Sequence, residues 1–271
     1  ETARAVRTRI ISDLHLGHSA SLLKNPVMLE PVLDGVDHLV LAGDVWQQRK
    51  IGLAREEARQ LFEELLELAR MRGVTVDLLR GNHDPEGGAG VIWLADREVL
   101  VTHGDAIYDD ATPWSREIGH YRAEVNAIIE KYKPQNHLAA ACADRAKEIA
   151  LVLKVIPLPK LPPPFNFFAT ALWPPSRTLE MLRVWRGMGK QGLSFLEHSG
   201  EGAKVLVCGH FHQAGIWERD GKVMINTGSF MKGSRSWAVD LNENKLTARE
   251  IELNGEHFVP GEVKGLWIVS R

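Results

Sequence analysis

The sequence predicts an α/β fold that carries a long helical insertion. Five short runs rich in Val, Ile and Leu recur along the chain, and their length and β-branched content are typical of buried strands. A helical stretch separates the second run from the third, which is the strand–helix–strand order of an α/β protein. The 271 residues, 44% of them apolar, suffice for one large α/β domain or for a domain with a sizeable insertion.

The predicted strands cover residues 6–12, 39–42, 74–79, 98–102 and 204–208. The helix between the second and the third is predicted from apolar residues at helical spacing, namely Ala58, Leu61, Phe62, Leu65 and Leu66. Gly73 supplies a stop signal for this helix. After Gly209 the pattern changes to two hairpins that turn at 220–221 and near 242–244, so the C-terminal part adds strands rather than helices.

The segment 106–202 interrupts this alternation, and we interpret it as a helical insertion within a single domain that spans 1–271. Its helices are predicted at 116–133, 137–155 and 176–189, the last with Ser176 as its N-cap. Residues 156–175 combine prolines, which forbid a continuous helix, with Phe and Trp, which favour burial or contact. This apolar stretch is either a connector packed on the main domain or a contact surface for a substrate or a lipid.

Charge and cysteine content exclude few classes of protein. A formal net charge of −2 gives no global attraction for nucleic acid, so any surface for a polyanion must be a local patch. Cys142 and Cys208 are too few for a disulfide framework, which suits a reducing compartment. The longest apolar stretches are broken by Pro or by charge, so we expect neither a signal sequence nor a spanning helix, and a cytoplasmic location.

Each of the five predicted strands ends in polar residues. The sequences at these ends are SDLHLG, AGDVWQ, RGNHDPEG, THGD and CGHFHQ. If the strands are neighbours, their C-terminal ends meet at one edge of the sheet, where α/β proteins bind ligands. The side chains collected at that edge would be Asp13, His15, Asp44, Asn82, His83, Asp84, His103, His210 and His212.

These side chains predict a metal centre. Carboxylates and imidazoles without thiolates suit Mn, Fe, Zn or related ions. Two ions need a bridging ligand, and Asp44 fits because Gly43 before it lets the backbone approach closely. On a strand, His210 and His212 would point both imidazoles to one face. Any one of these residues alone is more commonly an ordinary loop or core residue, but five such strand ends are hard to explain independently.

In their order along the chain, the motifs Asp-x-His, Gly-Asp, Gly-Asn-His-Asp, His-Gly-Asp and Gly-His-x-His resemble those of the calcineurin-like metallophosphoesterases. INTGSF at 225–230 is similar to a short loop that often follows the last motif. The resemblance covers 6–105 and 204–253 and leaves out the insertion. It implies a pair of mixed sheets packed face to face with helices outside, the hairpins from Gly215 onward fitting the second sheet.

The resemblance also implies a role for each residue. Asp13, His15 and His212 would hold one ion, Asn82, His103 and His210 the other, and Asp44 would bridge the two. His83 would face the substrate phosphate, to stabilise its charge or to protonate the leaving oxygen, and Asp84 would orient His83. A hydroxide that bridges the two divalent ions would attack the phosphorus, with Mn as the expected ion and Fe, Zn and Mg as the alternatives.

Further residues lie next to these motifs. Trp46 and Gln47 come shortly after Asp44 and are expected to wall the site, with a purely structural indole as the alternative. Arg80 could bind a phosphate oxygen or pair with a surface acid. Asp105, Asp109 and Asp110 are predicted to form an acidic, solvated loop.

The position of the insertion bears on the substrate, since it enters after THGD and leaves before CGHFH and would therefore cap the metals. A similar placement occurs in the bacterial UDP-diacylglucosamine pyrophosphohydrolases of lipid A synthesis, and HGDAIYDDATPW looks like their corresponding stretch. Those enzymes commonly carry Arg where this chain has His83. The resemblance implies a phosphoesterase or pyrophosphatase for a phosphodiester, phosphomonoester or diphosphate in a small or lipid-linked substrate, and it leaves open a peripheral membrane contact through the insertion.

Two alternatives are a nuclease and a metal-binding scaffold without catalysis. A nuclease needs a basic groove that tracks phosphates. The candidate basic residues are mixed with acids instead, namely Lys131, Lys133, Arg145, Lys147 and Lys154. A scaffold is disfavoured because scaffolds of this family usually lose ligands, and every expected ligand is present here.

Overall fold

A computed structural model describes residues 6–50, 52–154 and 175–270 of the chain. The strands are β1 (Arg7–Ile11), β2 (His38–Ala42), β3 (Thr75–Leu79), β4 (Val91–Leu94), β5 (Val99–Thr102), β6 (Val205–Cys208), β7 (Gly215–Arg219), β8 (Lys222–Asn226), β9 (Ser236–Asn242), β10 (Lys245–Asn254) and β11 (His257–Ile268). The helices are α1 (Glu30–Leu33), α2 (Leu53–Met71), α3 (Glu117–His120), α4 (Arg122–Tyr132), α5 (Ala139–Val152) and α6 (Pro175–Ser199).

The strands form two mixed sheets. One has six strands in the order β11-β10-β9-β1-β2-β3, and the other has five in the order β4-β5-β6-β8-β7. Strands β1, β2 and β3 pair in parallel, as do β5, β6 and β8, and the outer strands pair antiparallel. The carboxyl ends of both parallel groups are followed by the polar motifs of the sequence.

Alternate residues of each strand pack on opposite faces of its sheet, as the period of two in an extended chain requires. Ile10 and Val40 of the six-stranded sheet share one buried cluster with Val101 and Val207 of the five-stranded sheet, which fills the space between the sheets. Their neighbours Ile11, Leu39 and Leu41 belong to a second cluster with Ala58, Leu65 and Leu68 of α2. Helices therefore cover the outer faces, and the two-sheet sandwich that the motif order implied is confirmed.

All five strands predicted from apolar runs are present, but they do not share one sheet. Strands β1, β2 and β3 lie in the six-stranded sheet, whereas β5 and β6 lie in the other. The two predicted hairpins are also divided between the sheets, so the expectation that both fit the second sheet was half right. The β7–β8 hairpin, which turns at Asp220 and Gly221, extends the five-stranded sheet, whereas β9 and β10 pair beside β1.

The insertion is helical where the structure describes it. Its helix α6 continues ten residues beyond the predicted end at Gly189, because Gly189 and Gly192 let the helix lie directly against Trp217 and Met224 of the five-stranded sheet. Helices α5 and α6 share a cluster with that sheet, which includes Cys142, Val184, Met188 and Leu206. Almost all of the apolar stretch 156–175 lies outside the described residues.

The helices in the described part of the chain offer no candidate for a transmembrane span, since none is both long and apolar enough.

Candidate metal centre

The polar strand ends of both sheets converge on one cleft. Asp13 and His15 follow β1, Asp44 follows β2, Asn82 and His83 follow β3, His103 follows β5, and His210 and His212 follow β6. A cavity of about 120 Å³ is lined by Asp44, Asn82, His83, His210 and His212, among others. The structure thus brings together all seven predicted ligands and His83, although they come from two sheets.

The backbone at these strand ends is left-handed. Five of the predicted ligands have positive φ: Asp13 (53°), His15 (50°), Asp44 (52°), His210 (71°) and His212 (54°). Such a conformation costs a residue with a side chain roughly 1–2 kcal/mol and is concentrated at functional sites. The prediction that strand alternation aligns His210 and His212 was wrong, because they lie in a turn in which the N–H of Phe211 donates to the carbonyl of Gly209 at 2.8 Å.

Asp13, His15 and His212 form the first group of donors. The Nε2 atoms of His15 and His212 lie 3.0 Å apart, and Asp13 Oδ1 lies 3.3 Å from His212 Nε2 and 3.7 Å from His15 Nε2. The Asp13 carboxylate is fixed by the backbone N–H of His210, which donates to it at 2.9 Å. One contact thus joins the end of β1 to the end of β6.

The second group surrounds His103. Its Nδ1–H donates to the carbonyl of Ala42 at 3.0 Å, which leaves Nε2 3.3 Å from Asn82 Oδ1 and 3.5 Å from Asp44 Oδ1. The ring of His210 lies 4.9 Å from that of His103, and its Nε2 lies 3.0 Å from the carbonyl of Ala111. If His210 Nε2–H donates to that carbonyl, its Nδ1 remains available as a ligand.

Asp44 lies between the two groups. Its Oδ1 is near His103, as given above, whereas its Oδ2 is 3.7 Å from His15 Nε2. Gly43 makes this approach feasible, because a Cβ at Gly43 would lie only 2.6 Å from the His103 ring. The close approach of the backbone that Gly43 was expected to permit is therefore present, and the bridging role of Asp44 stays a prediction.

The donor spacing fits cations of the expected kind. A metal with bonds of about 2.0–2.2 Å to nitrogen and oxygen requires ligand atoms about 3–3.5 Å apart. The separations of 3.0 and 3.3 Å in the first group and of 3.3 and 3.5 Å in the second fall in this range, and the remaining one in the first group, 3.7 Å between Asp13 and His15, is slightly longer. Both groups contain only oxygen and nitrogen donors, which suit Mn, Fe or Zn.

The pKa values of the cluster reflect burial and close charges. Burial lowers the pKa of His15 and of His210 well below its usual value, so both rings are neutral, as a metal ligand must be. Burial opposes a charge on His103 too, but the Asp44 carboxylate outweighs it and holds the His103 pKa well above its usual value. A bound cation would replace the positive charge that a proton on His103 supplies.

His83 is held by an amide rather than by a carboxylate. Its Nδ1 lies 3.0 Å from Gln47 Oε1, and its Nε2 is 4.0 Å from Asp44 Oδ2. The predicted contact from Asp84 is corrected, because the buried Asp84 carboxylate accepts the backbone N–H groups of Asp44, Val45 and Gly81 at 2.7–2.9 Å. Asp84 therefore fixes the loop that carries Asp44.

Trp46 and Arg80 were predicted to contact the substrate, but their side chains are engaged in other contacts. The indole of Trp46 stacks on Phe62 of α2, with ring centroids 5.6 Å apart, and is only 8% exposed, so Trp46 is a core residue. Arg80 pairs with Asp144 of α5, which is the alternative expected from the sequence. The guanidinium ties the end of β3 to the insertion instead of facing the cleft.

The insertion supplies part of the cleft wall. Trp114, Met181 and Trp185 line the same cavity as His83, and the Trp185 Nε1–H donates to the carbonyl of Phe211 at 3.0 Å. A neighbouring cavity of about 220 Å³ shares Asn82, His83 and Trp114 with the first and is also lined by Arg49 and Arg177. Sequence reasoning did not single out Arg49, Arg177, Met181 or Trp185, which lie outside the motifs, and it quoted Trp114 only as the end of the stretch HGDAIYDDATPW.

The prediction of an acidic, solvated loop after His103 holds for the exposed Asp109, but Asp105 is only 6% exposed. Burial raises the pKa of Asp105 to about 6, so its ionised form costs stability once the pH exceeds the unfolded value near 4. We compare the free energy of unfolding of the wild type with that of Asp105→Asn, both in the presence of a metal chelator. As the pH rises from about 4 to 7, the wild type should lose up to about 3 kcal/mol relative to the variant. Urea unfolding of both proteins across this range measures the difference.

The matched control is Asp96→Asn, since Asp96 is exposed in a turn. Its difference from the wild type should stay within about 0.5 kcal/mol at every pH. A difference between Asp105→Asn and the wild type that did not change with pH would contradict the effect of burial.

No family model and no curated protein sequence matches the chain. Several solved structures are similar to that of the chain. Vacuolar Protein Sorting 29 from Cryptosporidium parvum is 13% identical, with a TM-score of 0.46 over 99% of this chain and 100% of that one. A dimetal phosphatase from Danio rerio is 11% identical, with a TM-score of 0.47 over 94% and 98%. The phosphoesterase Yfce from E. coli is 17% identical, with a TM-score of 0.42 over 98% and 100%.

The fold class rests on the chain's own architecture. Two mixed sheets packed face to face, helices outside, and polar motifs at the carboxyl ends of the parallel strands make the α/β two-sheet sandwich that was expected from the sequence.

Proposed function

We propose that the chain is a binuclear metal-dependent hydrolase of phosphoric esters. The observation that carries the proposal is the position of Asp44, whose two carboxylate oxygens face two different groups of oxygen and nitrogen donors. A buried carboxylate between two sets of imidazoles has no structural use that a hydrogen-bonded polar residue would not serve at lower cost.

In this proposal, each group would hold one divalent cation, and Asp44 would serve as a ligand for both groups. Asp13, His15 and His212 form the first set, and Asn82, His103 and His210 form the second. When bound, the pair of cations would supply Lewis acidity toward a water molecule and toward the phosphoryl oxygens of the substrate. Mn²⁺ is the proposed ion, with Fe, Zn and Mg as alternatives that the donors also permit.

His83 is proposed to act on the leaving group. Its side chain is 38% exposed, in contrast to the 2% of His15, so a substrate can reach it. Its Nε2 faces the Asp44 side of the cleft, where it can donate a proton or a hydrogen bond to the leaving oxygen.

The substrate is proposed to be a phosphorylated small molecule or a lipid-linked molecule held beneath the insertion, which would act as a cap. The indoles of Trp114 and Trp185 and the side chain of Met181 give an apolar wall near His83, and Arg49 and Arg177 line the adjoining cavity. These groups suit a substrate with both apolar and anionic parts, such as a lipid-linked nucleotide sugar. Membrane contact through the insertion remains a proposal of the same kind.

A nuclease is a weaker candidate because three of the five basic side chains considered in the insertion are paired with carboxylates. Lys131 pairs with Glu148, Lys133 pairs with Glu130, and the buried Arg145 pairs with Asp109. Cations already paired with carboxylates do not form a stripe that follows a phosphate backbone.

The proposal is tested with purified protein stripped by chelator and reloaded with Mn²⁺, Zn²⁺, Fe²⁺ or Mg²⁺. We expect about two ions per chain and hydrolysis of bis(p-nitrophenyl) phosphate or p-nitrophenyl phosphate that depends on the added ion. Nucleotide diphosphate sugars with and without acyl chains then test the proposed substrate class.

If the protein bound no transition metal and hydrolysed neither substrate with any of the added ions, the proposed hydrolase activity would be refuted. Two bound ions without hydrolysis of any phosphoric ester would favour the metal-binding scaffold.

A further inference from the structure

Gln47 connects a predicted metal ligand to the proposed acid. One end of its side-chain amide lies 3.0 Å from His15 Nδ1, and the other lies 3.0 Å from His83 Nδ1. Gln47 is 5% exposed and His15 is 1% exposed, so water does not compete freely for these contacts. The three side chains form a continuous hydrogen-bonded chain that runs beside Asp44.

A primary amide is a donor at one end and an acceptor at the other. An imidazole next to its oxygen must therefore carry a proton on Nδ1, whereas an imidazole next to its nitrogen must accept through Nδ1 and carry its proton on Nε2. Since both rings face Gln47 through Nδ1, the two rings must be opposite tautomers. Rotating the amide by half a turn exchanges the two assignments and leaves the heavy atoms in place.

Cation binding to His15 selects one of these two states. The Nε2 atom of His15 faces Asp13, His212 and Asp44, so that atom is the one available to a cation, and its proton must move to Nδ1. The Gln47 oxygen then faces His15, and its NH₂ group faces His83. We propose that Gln47 is a positioning residue that, once a cation is bound at His15, keeps the proton of His83 on Nε2, which faces the cleft.

This inference rests on the proposed function, because it needs a cation on His15, and it deepens that function in one respect. Distance alone would allow His83 to join His15 and Asp44 as a third ligand. A ligand Nε2 cannot also carry the proton, so the amide excludes His83 from the coordination of that ion. Each ring keeps one proton throughout, and no proton enters or leaves the cluster.

The state of each ring can be read by NMR of protein labelled with ¹⁵N in histidine, with and without Zn²⁺, which is diamagnetic. Long-range ¹H–¹⁵N correlations distinguish a protonated ring nitrogen from a bare one, and His83→Gln assigns the His83 signals. We expect Zn²⁺ to give His15 protonated on Nδ1 and His83 protonated on Nε2.

Two variants separate the effect of the amide from that of its volume. In Gln47→Glu, the carboxylate accepts from both rings, so His83 should carry a proton on Nδ1. In Gln47→Met, which keeps the length of the side chain, the His83 signals should report a mixture of tautomers. Gln47→Met should also lower turnover of a substrate with an alkoxide leaving group by roughly 10–100-fold, and lower that of a nitrophenolate substrate less.

The matched control is Gln48→Met, because Gln48 follows in the chain but donates to Glu86 at the surface. It should leave both rings as in the wild type. A bare Nε2 on His83 in the zinc-loaded wild type would overturn the inference and leave the proposed function standing, as would unchanged His83 signals in Gln47→Met. The lack of any zinc effect on His15 would overturn both.

Discussion

Replacing Asp44 by Asn is expected to lower kcat/KM for an aryl phosphodiester by at least about 10³-fold, which corresponds to about 4 kcal/mol of transition-state stabilisation. The two oxygens of this carboxylate face different histidines, with Oδ2 3.7 Å from His15 Nε2 and Oδ1 3.5 Å from His103 Nε2. An amide in its place offers one oxygen instead of two and carries no charge, so it cannot serve two cations. Steady-state kinetics with excess Mn²⁺ and metal analysis after dialysis measure the two consequences.

We expect the dialysed Asp44→Asn protein to keep fewer than two ions per chain. Asp77→Asn is the matched control, because Asp77 lies on β3 of the same sheet but is 56% exposed and pairs with His38 away from the cleft. Its activity and metal content should equal those of the wild type. An Asp44→Asn protein that kept two ions and lost less than tenfold in kcat/KM would refute the bridging role.

The sequence predicted correctly those strands and turns that are encoded by a short stretch of neighbouring residues. The apolar runs that became β1, β2, β3, β5 and β6 each carry the strand propensity in their own residues, and each is followed directly by its motif. The turn at Asp220 and Gly221 is encoded in the same local way, because both residues adopt a positive φ that this dipeptide favours.

The division into two sheets could not be predicted from the runs themselves. Val40 and Val207 have similar sequence surroundings, yet one pairs beside Ile10 and the other beside Val101. Pairing partners depend on contacts between residues far apart in sequence, and only the resemblance carried that information. The short β4 escaped prediction because its four residues are all half-buried and show no alternation.

Side-chain direction at the strand ends was also beyond the sequence. The family resemblance implied that the Asp84 side chain orients that of His83, its neighbour in the chain. The Asp84 carboxylate turns instead to the N–H groups around Asp44, and Gln47 reaches His83. With positive φ at His15, Asp44 and His212, neither strand nor helix periodicity indicates where a side chain points.

The strained backbone and the buried charges occur at the same strand ends. The backbone is left-handed at Asp13 and at Asp44, and both side chains are buried. For Asp44, this burial opposes ionisation. His103 and His83 outweigh that penalty for Asp44 and hold its pKa well below the usual value. The cost in backbone strain and desolvation is what a cation would offset on binding, which ties the stability of this edge to metal loading.

Replacing His83 by Ala is expected to lower kcat by about 10²–10⁴-fold on a substrate whose leaving group needs a proton. The imidazole is partly exposed in the cleft, with its Nε2 toward Asp44 and its Nδ1 held by Gln47. A nitrophenolate leaves without protonation, so the loss on p-nitrophenyl substrates should be much smaller. Comparing kcat for methyl and p-nitrophenyl phosphoesters in wild type and variant isolates the proton-donor role from simple binding.

Metal content decides between the two roles that the distances allow for His83. As a proton donor, it can be removed with two ions still bound after dialysis, whereas as a ligand beside His15 and Asp44 it cannot. His120→Ala is the control, because His120 is exposed on α3 of the insertion, and it should change neither property. A His83→Ala protein with equal losses on both leaving groups and one ion per chain would show a ligand. If His83→Ala kept full turnover of the methyl ester, His83 would have no role in catalysis.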